Sequence, residues 1–151
     1  MRVVIQRVLN ASVHVNKKKV SSIKKGLLVF VGFEINDNII DCEWIANKIL
    51  NLRIFSSKEN NMELSVKDVK GEILIVSQFT LHAKTKKGNR PSFIKSAKSE
   101  ISKILYDKLL LTISELYKNK ISQGIFGADM KIRLENDGPV TIIIDSKNKE
   151  Y

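Results

Sequence analysis

The chain has 151 residues, 43% of them hydrophobic and 28% charged, enough for one domain that buries about 68–70% of its unfolded surface. No apolar run approaches the roughly 18 residues of a membrane span, and the opening MRVVIQRV alternates like a strand where a signal peptide would be basic, then apolar, then small. A net charge of +10 and a pI near 9.7 favour a polyanionic partner, nucleic acid above all; general enrichment in Lys, Asn and Ile is the competing source of that charge. The single Cys42 cannot form an internal disulfide and, with two histidines, cannot complete a zinc cage. A cytoplasmic protein without metal or cofactor is expected.

Met1 to Val15 carries β-branched residues at alternate positions and predicts a long first strand, with Arg7 in an otherwise apolar neighbourhood and His14 as a strand residue. Asn16 to Lys19 is a basic tip leading to a second strand near Val20 to Ile23, a hairpin by spacing. Leu27 to Phe33 predicts a third strand. Asp37 or Asn38 then caps a helix running to about Leu50, with Ile39, Cys42, Ile45 or Ala46, and Ile49 on one stripe. Trp44 lies off that stripe and is available to a neighbouring element or another subunit. A short strand is expected at Arg53 to Phe55, with a little more at Met62 to Val66.

Glu72 to Leu81, EILIVSQFTL, is a central strand by its unbroken aliphatic run Ile73 to Val76. It finishes in Ser77, Gln78, Phe79 and Thr80, which puts two hydroxyls, an amide and backbone N–H groups where pairing stops. Such an end suits a carbonyl or an anion; equally, Ser77 and Thr80 can be polar strand residues with satisfied hydrogen bonds. HAKTKKGNRPS follows as a mobile basic loop containing Lys84, Lys86, Lys87 and Arg90. Ser99 is the expected cap of a second helix whose apolar face comprises Ile101, Ile104, Leu105, Leu109, Ile113, Leu116 and Tyr117. After a turn at Gln123 to Ala128, a half-exposed strand containing Met130, Ile132 and Leu134 and a closing strand at Val140 to Ile144 flank Asn136-Asp137-Gly138-Pro139.

SQFTL followed by NDGPVT resembles the D-aminoacyl-tRNA deacylase family, also called D-tyrosyl-tRNA deacylases. The flanks agree: VVIQRV with Ala11-Ser12-Val13, RIF at Arg53 to Phe55, GNRPSF at Gly88 to Phe93 and GIFGADM at Gly124 to Met130. The resemblance runs from Met1 to about Ile144 and implies a β-rich α/β single domain over residues 1–151, a curved or barrel-like sheet covered by two long helices.

It further implies hydrolysis of D-aminoacyl-tRNA by a homodimer with active sites at its interface. Ser77, Gln78, Phe79 and Thr80 would hold the ester and its carbonyl, while Phe126, Ala128 and Met130 would receive the terminal adenosine. Gly138-Pro139, cis in the family, would enter the partner's site and exclude L side chains, and Arg7 either supports that loop or forms a surface salt bridge. On the residues alone, Thr80 lacks an identifiable base, since only His82 would share its face on a continuing strand; assistance from the ribose 2′-hydroxyl answers this. Two alternatives stay open: a non-catalytic basic RNA-binding module using Lys17 to Lys19 and the Lys84 to Arg90 loop, and an esterase with Thr80 as nucleophile.

Overall fold

The computed structural model describes residues 1–150, so Tyr151 of the expected 1–151 unit lies outside the described residues. Its elements are β1 (Arg2–Val15), β2 (Lys18–Ile23), β3 (Gly26–Gly32), α1 (Ile39–Asn51), β4 (Glu72–Ser77), a 3₁₀ turn (Phe79–His82), α2 (Ser99–Leu116), β5 (Ile121–Gln123) and β6 (Lys131–Asp145). One sheet has the path β2-β1-β3-β4-β5, with β6 pairing along the other edge of β1. β3, β4 and β5 are parallel, and the remaining pairings are antiparallel. The sheet curls until β2 lies near β4 and β5, making a barrel-like wall that is nearly closed. No helix of the described residues is long and apolar enough to cross a membrane.

Both faces of this sheet are buried, which is why its central strands read as continuous apolar runs. Ile73 and Ile75 of β4, with Leu27, Val29 and Val31 of β3, join Cys42, Ile45, Ile49, Leu105, Leu109 and Ile113 of the helices in the larger core. Leu74, Val76 and Leu28 face the concave side with Val8, Ala11, Val13 and Ile23. The expectation for Cys42 as a packing residue holds: it is buried, and burial pushes its thiol up to about 11.

β1 serves both cores by changing phase. Val3 and Ile5 face the helices, whereas Ala11 and Val13, of the same parity, face the concave side. Against β6 the register runs Val8↔Asn136 then Asn10↔Glu135, so Leu9 is an extra residue; such a bulge exchanges the faces beyond it and leaves Leu9 44% exposed.

Several expectations are corrected. The two strands predicted around NDGPVT are one, β6, because its backbone keeps pairing with β1 on both sides of the motif. The strands at Arg53 to Phe55 and Met62 to Val66 reduce to one bridge, Phe55↔Leu64. Of the two caps expected for α1, Asn38 is the one used, in a reciprocal box with Asp41. Ser99 is already helical, behind Lys98 at the cap position. Ile39, at the first position of α1, is exposed, the buried face of that helix starting at Asp41 and Cys42; Ile101, Ile104 and Leu116 are exposed because the buried face of α2 is shifted onto Ser102, Leu105, Tyr106, Leu109, Thr112 and Ile113. Trp44 does meet neighbours, the ammonium groups of Lys48 and Lys149 at 5.3 and 5.0 Å from its ring centre.

Burial on both faces has a direct test. Leu74→Ala and Ile75→Ala, neighbours in β4 that point in opposite directions, should each lower unfolding free energy by about 2–5 kcal/mol in urea titrations. A near-neutral Leu74→Ala would mean that the concave side is not a core.

Candidate active site

The aliphatic run of β4 ends with a main-chain bond from Gln78 N–H to Val31 C=O, 2.7 Å. Past this bond the ladder does not continue, and the chain packs closely on Gly32, where a Cβ would lie 2.7 Å from the Gln78 carbonyl oxygen and 3.1 Å from Leu81 Cβ. The backbone instead tightens into the 3₁₀ turn, closed by Leu81 N–H to Gln78 C=O (3.3 Å) and Ala83 N–H to Thr80 C=O (3.0 Å). The N–H groups of Phe79 and Thr80 precede the first of these bonds, as donors at the start of any helical turn must.

This turn overturns the expectation that His82 shares Thr80's face. Thr80 is exposed, whereas His82 is 4% exposed and its Nε2–H donates to the Gly32 carbonyl at 3.1 Å. Burial holds the imidazole below its ordinary pKa, and the Glu34 carboxylate, 3.8 Å from Nδ1, is too far for a hydrogen bond that would offset it. His82 therefore closes the turn and cannot serve Thr80 as a base. The Thr80 hydroxyl accepts from Gln78 Nε2 at 2.6 Å.

A cavity of about 550 Å³ opens at the carboxyl ends of the parallel strands. Ser77, Gln78 and Phe79 line one side and Phe126, Ala128 and Met130 another, so six of the sequence-nominated residues converge there. The Phe126 ring lies 5.4 Å from that of Tyr106, whose hydroxyl donates to the Ile75 carbonyl at 2.9 Å. Gly124 leaves room for the Met130 side chain, whose Sδ would lie 2.5 Å from a Cβ there. The reading of the sequence missed Gly32, Phe33, Ser96, Ala97, Ser99 and Ser102, which complete much of the lining. Serines at steps of three from 96 to 102 were the available signal, a polar edge at a helix start.

The cavity lining does not include Thr80, Arg7, Gly138 or Pro139. Between Gln6↔Thr141 and Val8↔Asn136, the single residue Arg7 spans four residues of β6, 137 to 140. The excursion contains a cis Gly138-Pro139 bond, and Gly138 has φ +126°, a value side-chain-bearing residues rarely adopt. Arg7 fills the space beneath it: Nε donates to the Asp137 carbonyl at 3.2 Å and lies 3.1 Å from the Asp137 carboxylate, and Nη1 donates to the Ile54 carbonyl. Asn136 braces the excursion by accepting from Val140 N–H at 3.0 Å and donating to Thr141 Oγ1 at 3.1 Å. Gly138 and Pro139 are exposed, as are Lys84, Lys86, Lys87 and Arg90 in their loop.

The D-Tyr-tRNA(Tyr) deacylase family matches residues 4–145. A D-aminoacyl-tRNA deacylase of Flavobacterium psychrophilum is 59% identical over 150 residues, covering 99% of this chain and 100% of the relative. One of Bacteroides thetaiotaomicron is 53% identical over the same coverage. Among solved structures, a c-Myc DNA unwinding element binding protein superposes with TM-score 0.92 and 39% identity, covering 96% of this chain and 98% of the other. A probable eukaryotic D-amino acid tRNA deacylase shares the fold at TM-score 0.82 and 21% identity, covering 95% and 97%.

The buried His82 gives a pH dependence. Its folded pKa lies below the ordinary 6.5, so the unfolded chain binds the proton more readily. The contribution to stability is present above about pH 6.5 and is lost as pH falls through the lowered folded value. In urea melts between about pH 7.5 and about pH 5, wild type should lose more stability than His82→Gln, whose amide can still donate to Gly32; equal losses would place the titration elsewhere.

Proposed function

The chain belongs to the D-Tyr-tRNA(Tyr) deacylase family, and on that premise we propose that it hydrolyses the ester joining a D-amino acid to the terminal adenosine of tRNA. The observation carrying this reading is that one cavity joins the polar end of β4 to the Phe126, Ala128 and Met130 wall. Those are the two halves such a substrate needs, donors for a carbonyl and an apolar, aromatic surface for a base.

In this reading the adenine packs against Phe126, Ala128 and Met130. Ser77 and Gln78 orient the ester, and the N–H groups of Phe79 and Thr80 receive the oxygen that gains charge. Water adds to the carbonyl with help from the neighbouring ribose 2′-hydroxyl; the bond to the ribose oxygen breaks, and that oxygen takes a proton. Positioning and oxyanion stabilisation then supply the catalysis. The structure weakens the alternative of Thr80 as nucleophile, because its hydroxyl accepts from Gln78 and His82 is engaged with Gly32.

Selectivity is assigned to Gly138-Pro139 acting in the site of a second copy. In favour stand its exposure, its separation from the cavity of its own chain, its support by Arg7 and Asn136, and the exposed apolar side chains of Leu9, Leu134 and Ile143 in β1 and β6. Main-chain atoms facing the α-carbon would strike an L side chain and pass the hydrogen of a D residue. Glycine has nothing to collide. Lys84, Lys86, Lys87 and Arg90 would hold tRNA phosphates. A second reading is nucleic-acid binding without turnover, of which the solved neighbour named for DNA binding supports only the binding.

Single-turnover assays with D-tyrosyl-, L-tyrosyl- and glycyl-tRNA separate these possibilities. Rapid loss of the D ester, none of the L ester and appreciable loss of glycine are expected; binding with no loss of any ester would favour the second reading, and a resistant glycyl ester would defeat exclusion as the basis of selectivity. Thr80→Ala should keep measurable activity, whereas a tRNA ending in 2′-deoxyadenosine should be nearly inert. Full activity on the deoxy substrate would remove the RNA hydroxyl from the mechanism.

A further inference from the structure

The basic loop and the 3₁₀ turn are mechanically one unit. Lys84 and Ser92 exchange main-chain bonds, Lys84 N–H to Ser92 C=O at 2.8 Å and Ser92 N–H to Lys84 C=O at 3.0 Å, which closes the foot of a loop whose residues 85–91 are exposed. The turn enters this foot directly, through the Ala83 N–H to Thr80 C=O bond. The chain leaving the foot returns to the same turn. One residue on, the Phe93 ring meets the Phe79 ring edge-on, 5.0 Å between centres at 68°. Three further, Ser96 Oγ donates to the Phe79 carbonyl at 3.1 Å.

That returning segment is itself strapped to the chain beyond β3. Glu34 and Ser96 form a bridge, Ile35 N–H donates to Lys95 C=O at 3.2 Å, and Ala97 N–H donates to Phe33 C=O at 3.0 Å. Phe79, by contrast, is 57% exposed, so core packing does little to place it. An exposed aromatic at the wall of the cavity is thus held from behind by one ring and one hydroxyl, both supplied by the segment that follows the loop.

We propose that Phe93 and Ser96 are positioning residues that link the basic loop to the turn, so that the loop's hold on tRNA phosphates sets where the Phe79 and Thr80 N–H groups stand. The inference rests on the deacylase reading and adds a regulation to it. An ester on intact tRNA meets an aligned site, and an ester without phosphates for the loop to hold meets a looser one. Misplacing reacting groups by about 1 Å lowers rates up to about 100-fold, so a contact of this kind can govern turnover through where it holds the turn.

The test is a double-mutant cycle on single-turnover rates at saturating enzyme with D-tyrosyl-tRNA. Ser96→Ala should slow the chemical step about 10- to 100-fold while tRNA affinity stays at the wild-type value, and Ser96→Thr, which keeps the hydroxyl, should recover most of the rate. The loop variant Lys84→Ala/Lys86→Ala/Lys87→Ala/Arg90→Ala should bind tRNA more weakly with a shallower salt dependence, and should stay slow even when saturated. Combined with Ser96→Ala it should be no slower than Ser96→Ala alone, since one placement is lost once. Should Ser96→Ala unfold in a thermal melt, Phe93→Leu carries the same cycle. Rates that multiply, a wild-type rate for Ser96→Ala, or full recovery of the loop variant at saturation would overturn the proposal with the deacylase reading intact. Wild-type protein that leaves D-tyrosyl-tRNA uncleaved would overturn both.

Discussion

The last rung of the β3–β4 ladder, Gln78 N–H to Val31 C=O at 2.7 Å, is the constraint on which the site depends. Up to that point the two strands run in parallel register from Gly26↔Glu72 to Val31↔Ser77. Beyond it, Gly32, lacking a Cβ, leaves room for the Gln78 carbonyl and Leu81 to pack directly on β3. The backbone folds over into a turn, His82 is drawn under it to bond the Gly32 carbonyl, and the polar residues of SQFTL are left at the carboxyl edge of the sheet. Open parallel sheets present ligands with a crevice at that edge, and here α2 and the 124–130 segment wall it in.

The wall opposite the turn is fixed from the core outward. Tyr106 reaches through α2 to the Ile75 carbonyl and sets its ring against Phe126. Burial pushes its hydroxyl well above the ordinary tyrosine range, so it stays a protonated donor. The same carbonyl accepts Gly124 N–H at 2.9 Å, which ties the start of the GIFGADM stretch to the centre of β4. One main-chain oxygen in the middle of the sheet therefore positions both the aromatic wall and the chain that carries Ala128 and Met130.

Arg7 plays the corresponding part for the excursion in β6. A four-residue bulge over a single strand residue leaves main-chain groups without ladder partners, and a buried carbonyl left bare is costly. The guanidinium answers with several donors from one rigid fork, taking the Asp137 carbonyl, the Asp137 carboxylate and the Ile54 carbonyl. The side chain is 12% exposed, so this is no surface ion pair of the weak, solvated kind. A protruding tip is thereby backed by hydrogen bonds from beneath.

From the sequence alone came the strands of the centre, because Leu27 to Val31 and Ile73 to Val76 are buried on both faces and apolar runs of that length admit little else. The α1 stripe at Cys42, Ile45, Ala46 and Ile49 and the hairpin around Asn16 and Lys17, both at positive φ, were likewise legible. So were the two motifs and the family they resemble. What sequence could not supply were quantities that depend on closure in three dimensions. The turn after Ser77 packs into space left by a missing Cβ on another strand, at Gly32. The unity of β6 follows from pairing with β1 across a Pro-containing bulge that local rules read as a break. The exposure of Ile101 and Ile104 follows from how α2 rotates on the sheet. Ser96, Ser99 and Ser102 join the lining because the start of α2 packs over the end of β4, which no local pattern records. Periodicity records which residues lose water; which of them face one another is decided by packing between residues far apart in the chain.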